Sequence, residues 1–333
     1  MIFSWNLDLW RLVWSAGDKL PPALLLAGPA GVGKSQFAEA LAQAALCAAR
    51  RASNEACGIC HPCRLFLAGA HPDVRVLEAS ATEESGAGET AAAAAPPRII
   101  GVERIRELRD FIEMSSHLGG RKVVLINPAE RLHVSAANAL LKTLEEPSQG
   151  TVFALVSARP QQLLPTLRSR CFRVDFRVPS NADALSWLRE EGIHEADAVL
   201  AHAGNAPLAA ADLARSPFWK RRPDIARLLS SPHVKAPELA RAIEPDDTPA
   251  FCGMLYKWCA DLLCLRLAGR VRYNPDYAKP LGQLAVNLDV LKLQKLMKEL
   301  TAALRYIEHP LNQRLVCERM TLGYARAVSA QER

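Results

Sequence analysis

Nothing in this 333-residue chain looks built to cross a membrane. The apolar runs at 23–27 and 123–126 are far shorter than the roughly 20 residues a bilayer core demands. The N-terminus, Met1 to Trp14, lacks a basic segment followed by an apolar stretch and a small-residue cleavage site, so the location expected is cytoplasmic. Aromatic residues make up only 6% of the chain. None interleave with a basic stripe, which argues against a stacking platform for single-stranded nucleic acid. Neither sign of charge dominates, and the net +6 permits a nucleic-acid partner without requiring one. What the chain does have is length, enough for two or three domains, and nine cysteines. In a reducing compartment clustered thiols point to a metal rather than to disulfides.

A second absence carries more chemistry. Residues Gly28-Pro29-Ala30-Gly31-Val32-Gly33-Lys34-Ser35 form a complete G-x-x-x-x-G-K-[ST] loop. Such a loop offers backbone N–H groups, one lysine and one hydroxyl to a nucleoside triphosphate, with Ser35 on the Mg²⁺ if nucleotide is bound. An apolar strand at 23–28 runs into it, and a helix over 35–47 follows, with Phe37, Leu41, Ala44 and Ala45 at helical spacing. That context turns the pattern into a nucleotide-binding candidate. Hydrolysis needs an acid for the metal and a group to orient water, yet the strand expected to supply them ends in Asn127 and Pro128. An amide adds no negative charge, and proline offers no base. Glu130 is close in sequence, but Pro128 leads off the strand, so Glu130 is expected to face solvent or cap the next turn. Losing a water-positioning group costs roughly 3 kcal/mol of barrier or more. The chain is therefore expected to bind ATP/Mg²⁺ without cleaving it.

Cys57-Gly-Ile-Cys60-His-Pro-Cys63 holds two overlapping C-x-x-C steps, with Cys47 ten residues earlier. Three thiols at this spacing converge on one tetrahedral ion, and Zn²⁺ is the expected metal. The fourth ligand is Cys47 or His61. Cys47 is preferred, because the His61 ring would compete with the turn that Gly58 and Pro62 favour. Four ligands with no open position make a structural site. Cys171, Cys252, Cys259, Cys264 and Cys317 show no such spacing and read as core thiols.

Helical and strand signals then alternate: helix 102–115, strand 121–126, helix 134–145, strand 151–157 and strand 172–176. This is the pattern of a doubly wound parallel sheet. The low-complexity stretch 79–97 reads as a disordered insertion. Past Pro179 the strand signals stop; 181–240 and 248–329 read as two helical domains. The stripe Leu255/Trp258/Leu262/Leu265 is core packing. Arg168 and Arg170 stand in a short basic loop before the strand at 172. From spacing alone that loop is a solvated turn, although an arginine at a subunit boundary can stabilise a neighbour's γ-phosphate.

Taken together, Ala23–Ser35, the cysteine cluster, Ser135–Pro147, Leu167-Arg-Ser-Arg-Cys171 and Leu311-Asn-Gln-Arg-Leu315 resemble the AAA+ clamp-loader family of bacterial DNA polymerase III, in its delta-prime branch. The resemblance implies an AAA+ P-loop domain with a parallel sheet over 1–178, carrying the zinc module at 47–63. A helical lid over 179–242 and an all-α collar over 243–333 would follow. It implies zinc on Cys47, Cys57, Cys60 and Cys63. It also implies that Arg170 completes the ATP site of an adjacent motor subunit in trans. Pro207 stands where motor relatives carry a second sensing arginine. The implied role is an accessory stator within the polymerase holoenzyme, without catalysis of its own. Its partners would be gamma/tau-type and delta-type subunits and, through the assembly, the sliding clamp and primed DNA, with no membrane. The competing expectations are an active motor ATPase that uses Glu130 or a partner's residue for the missing acid, and a zinc-dependent nucleic-acid binder.

Overall fold

The computed structural model describes residues 2–81, 98–286, 288–306 and 312–328. The insertion expected at 79–97 therefore lies, from residue 82 onward, outside the described residues. The chain divides into two compact units, with the boundary between Pro179 and Ser180.

In the first unit a short 3-10 turn, Ser4–Asn6, leads into α1 (Leu7–Val13). The chain continues through β1 (Ala23–Ala27), α2 (Lys34–Leu46), α3 (His61–Leu67), β2 (Val74–Glu78), β3 (Ser80–Ala81) and β4 (Arg98–Ile99). It then runs through α4 (Val102–Glu113), β5 (Lys122–Asn127), α5 (Val134–Glu145), β6 (Thr151–Ser157), α6 (Pro165–Ser169) and β7 (Phe172–Asp175). Strands β2-β5-β6-β1-β7 make a single sheet in that order, and every pairing in it is parallel. All residues of β1 and β6 are buried. A parallel strand covered on both faces reads as a near-continuous apolar run rather than an alternating one, which is why ALLLA and the VFALV run of TVFALVS occupy the centre. On one face Leu25, Val124, Ile126, Phe153 and Leu155 meet Ile105, Leu108 and Phe111 of α4 and Ala136, Ala137 and Leu140 of α5. Alanines on α5 let that helix approach the sheet closely. Helix α2 contacts β1, β5 and β6. The edge strands β2 and β7 are largely exposed. This is the parallel-sheet α/β architecture expected from the sequence; β2 and the β3–β4 pair are additions that it did not announce.

The second unit is helical. Helices α7 (Asn181–Glu190), α8 (Ala196–His202) and α9 (Pro207–Arg215) close around Ala184, Leu188, Val199, Leu200 and Ala210. The Ser180 side chain accepts the Asp183 N–H and so caps the start of α7. A larger apolar cluster joins α10 (Pro217–Leu229), α11 (Ala236–Arg241), α12 (Thr248–Ala268), α13 (Ala278–Val286), α14 (Val290–Tyr306) and α15 (Gln313–Val328). Helix α12 is its axis, with Phe251, Leu255, Trp258, Cys259 and Leu262 fully buried. The Trp258 indole donates to Tyr324 Oη at 2.9 Å, and that hydroxyl donates to the Leu229 carbonyl at 2.7 Å. Gly269, at φ +65°, ends the helix in the left-handed conformation.

A buried polar network crosses this unit. Asp261 accepts the N–H groups of Arg272, Tyr273 and Asn274, with the shortest bond 2.7 Å. Asn274 Oδ1 in turn accepts from Arg222 Nη2 at 3.0 Å and lies 3.1 Å from His202 Nδ1. Burial first, then the nearby Lys257 and Arg222 charges, push the His202 imidazole down to about 3. Unfolded, the same ring takes its proton near 6.5. Between those values the unfolded chain binds a proton that the folded one refuses. The His202 contribution is therefore complete above pH 6.5 and drains away as pH falls toward 3. His202→Gln should flatten the decline in unfolding midpoint between pH 6.5 and 4, measured by chemical denaturation; parallel pH profiles for the two proteins would refute the assignment.

Candidate nucleotide cradle and thiolate cluster

The glycine loop sits at the carboxyl end of β1, and two of its glycines are forced by space as well as by torsion. A Cβ on Gly28 would lie 2.3 Å from the Phe176 carbonyl oxygen. One on Gly33, at φ +93°, would lie 2.6 Å from the Phe3 ring. Gly31 also has a positive φ, +75°. The loop is pinned from the N-terminus, where Trp5 Nε1 and Asn6 Nδ2 both donate to the Val32 carbonyl, at 3.1 and 3.0 Å. No sequence signal marked Trp5 and Asn6 for that task. Lys34 is buried, and its ammonium donates to the Pro29 carbonyl. Burial lowers it to about 8, against the opposing pull of the Glu130 carboxylate. A loop with no room for a Cβ at Gly28 or Gly33, and with a charged lysine inside it, fits a polyphosphate.

The metal side of the cradle is different. Asn127 ends β5 and donates from Nδ2 to Ser35 Oγ at 3.1 Å. The hydroxyl that would ligate Mg²⁺ thus receives an amide N–H where a carboxylate would add charge. The Asn127–Pro128 peptide is cis. Glu130 corrects the sequence expectation that it faces solvent or caps a turn. Its Oε1 accepts the Ala158 N–H at 3.0 Å, just past the end of β6. Its Oε2 is buried without a hydrogen-bond partner. The short 3-10 turn Ala129–Arg131 contacts β6 and carries this side chain inward, a conformation that periodicity cannot foretell.

The cysteines converge. The Sγ atoms of Cys47, Cys57, Cys60 and Cys63 all lie within 4.8 Å of one another. Cys47 and Cys60 are 3.9 Å apart, Cys57 and Cys63 4.0 Å. Four thiolates around one Zn²⁺ at about 2.3 Å stand roughly 3.8 Å apart, so the set fits a tetrahedral ion. The end of α2 supplies Cys47 and the start of α3 supplies Cys63. The Cys57 N–H points to Cys47 Sγ and the Cys60 N–H to Cys57 Sγ, at 3.3 and 3.4 Å. Backbone N–H groups of Ile59 and Cys60 bring the Cys57 thiol down to about 6, while burial pushes Cys63 up. His61 opens α3 with its side chain exposed and lies outside the cluster.

Arg170 lies elsewhere. The basic stretch before β7 is a short helix, α6, with Arg170 capping its C-terminus, not the loop read from the sequence. The guanidinium is about one-third exposed, pairs with Glu145 of α5 at 2.5 Å and donates to the Thr166 carbonyl at 3.1 Å. In the sheet, Phe172 pairs with Leu24. Arg170 therefore sits at the amino end of the strands, whereas the glycine loop leaves their carboxyl end. Gly28 is four residue steps beyond Leu24, about 13 Å of strand.

Comparison with known proteins bears on this arrangement. A family described as DNA polymerase III, delta subunit, matches residues 14–180. A relative from Pseudomonas aeruginosa named DNA polymerase III subunit delta' is 37% identical, covering 78% of this chain and 75% of its own length. The chain belongs to the delta' family of DNA polymerase III subunits. Its function is that of a clamp-loader component. An Escherichia coli relative of the same name is 32% identical over 83% of this chain and 79% of its own. A solved Thermotoga maritima chain described as gamma subunit-related covers 97% of this chain and 99% of its own. At 18% identity and a TM-score of 0.44 that likeness is too loose to carry an argument. No described helix is long and apolar enough to cross a membrane.

Gly33→Ala would combine an unfavourable φ with a Cβ pressed into the Phe3 ring. It should destabilise the protein by about 2 kcal/mol. A thermal melt of the variant checks this, and an unchanged midpoint would count against the packing described.

Proposed function

We propose that this clamp-loader subunit acts as a stator: it holds nucleotide without turning it over and offers Arg170 to the triphosphate of a neighbouring subunit. The observation that carries the reading is the placement of Arg170. It is partly exposed and lies at the opposite end of the strands from its own glycine loop, so any nucleotide it serves belongs to another chain. Its pairing with Glu145 would orient the guanidinium before assembly. Within its own cradle the chain would hold phosphates with the backbone of Gly28–Gly33, with Lys34 and with the Ser35 hydroxyl. Bound Mg²⁺ would screen the triphosphate charge. The chain's own contribution is neutral on the metal side, because Asn127 rather than an acid faces Ser35. The partners that fit are the motor and delta-type subunits, with the sliding clamp and primed DNA reached through the complex.

The purified chain should show no ATP turnover above background. In a reconstituted complex Arg170→Ala should lower the neighbour's hydrolysis by two or more decades, the scale of an arginine finger. Wild-type turnover by the mutant complex would remove the reading. Nucleotide binding should weaken above pH 8, as Lys34 loses its proton; a titration monitored by fluorescent nucleotide gives the profile, and a flat one would separate Lys34 from the phosphates.

The thiolate cluster would hold one structural Zn²⁺ through Cys47, Cys57, Cys60 and Cys63, tying the end of α2 to α3. Metal analysis should return one zinc per chain, and Cys60→Ser should lose it together with some stability, a few kcal/mol at most, since the parallel sheet stands apart from the cluster. Full metal retention by that variant would contradict a four-thiol site.

One observation favours a second reading, in which the chain itself hydrolyses ATP. Glu130 is turned inward toward Lys34 and has a buried carboxylate oxygen to spare. Turnover by the isolated protein that vanishes in Glu130→Gln would select that reading over the stator.

A further inference from the structure

Behind the thiolate cluster the first unit holds a cavity of about 500 Å³. Its walls include Asp18, Cys47, Arg50, His71, Asp73 and Arg121, none of which the nucleotide cradle uses. Two guanidiniums meet here at one residue, Asp18, whose carboxylate engages only one of them. Arg50 Nη2 pairs with the Asp18 carboxylate, and Arg121 Nη2 donates to the Asp18 backbone carbonyl. Arg50 Nη1 is buried with no hydrogen-bond partner, its guanidinium lying 4.5 Å from the Trp14 ring centroid. Burial, with Arg121 nearby, lowers the Arg50 pKa, as expected of like charges confined together.

The third donor is His71, a ring only 6% exposed. Its Nδ1 accepts the Asp73 N–H at 3.1 Å, which leaves the proton on Nε2. That Nε2 is buried and unpartnered. Burial lowers its pKa, so the ring stays neutral and donates a single hydrogen bond. The acids in the wall are already engaged. Asp73 accepts from Ser116 Oγ and from the His117 and Leu118 N–H groups, at 3.0, 2.8 and 3.1 Å. Asp18 is held by Arg50. Buried donors without acceptors are expensive, and two guanidiniums beside a neutral imidazole N–H are the donor set that an oxyanion satisfies.

We infer that this cavity is a second anion site, separate from the glycine loop, which takes a phosphate group on Arg50, Arg121 and His71. The volume exceeds that of a bare phosphate and lies in the range of small-molecule sites, so it has room for a phosphate monoester as well as the free ion. The inference uses different residues from the stator reading and stands or falls without it.

The test uses the full-length, metal-replete chain carrying Lys34→Ala, so that the glycine loop does not contribute. Unfolding temperature is followed against inorganic phosphate and against chloride at equal ionic strength. Phosphate should raise the midpoint by several degrees at millimolar concentration, and adding Arg121→Gln should abolish the rise. Arg50→Gln provides the same comparison if Arg121→Gln folds poorly. A larger rise with glycerol 3-phosphate than with phosphate would identify a monoester ligand; equal rises would identify the free ion. Identical midpoints in phosphate and chloride, or a rise that survives both arginine substitutions, would overturn the inference.

Discussion

The constraint on which the first unit depends is the burial of β1 and β6 on both faces. Every residue of both strands is buried and the run at the middle of each is apolar, so each lies inside a parallel sheet with helices above and below. Parallel strands need crossover connections, and those connections gather every strand's carboxyl end on one side of the sheet. The glycine loop, Asn127 and Ala158 meet there because they follow β1, β5 and β6. Arg170 precedes β7 and is sent to the opposite end by the same rule. One packing requirement thus separates the glycine-loop end of the sheet from the arginine-bearing end.

The chemistry of the cradle follows from a single missing charge. A glycine loop satisfies polyphosphate by backbone N–H groups and one lysine, and these survive with the spatial demands at Gly28 and Gly33 intact. A carboxylate facing Ser35 would draw a divalent ion; the Asn127 amide donates to the hydroxyl and brings no charge. Glu130 restores negative potential near Lys34, yet its fixed oxygen is tied to the Ala158 N–H. The result is a glycine loop that fits a phosphate chain, with the nearest acid displaced from the strand end.

The second unit is organised by a different kind of interaction. Apolar packing along α12 assembles its helices, while buried hydrogen bonds link Asp261, Asn274, Arg222 and His202, with Arg222 also paired to Asp276. Such a network tolerates no half measures, because each member removed strands its partners in a dry interior.

Much of this was legible in the residues. The apolar runs of β1 and β6, the helical spacing in α2 and α5, the glycines, the cysteine steps and the want of an acid at 127–128 all follow local rules of period and residue chemistry. What the sequence could not disclose depends on groups distant in the chain. Trp5 and Asn6 reach Val32 across twenty-odd residues, Arg50 meets Arg121, and Asp73 gathers the N–H groups of 117 and 118. The inward turn of Glu130 and the short helix that Arg170 caps also lie beyond a sequence pattern, because a single 3-10 or five-residue helical turn leaves no periodic trace. The sequence by itself determined which chemical groups exist and which elements carry them, since period and composition act over a few residues. Only the tertiary structure decided which groups face one another, because that is set by how the two faces of the sheet are filled.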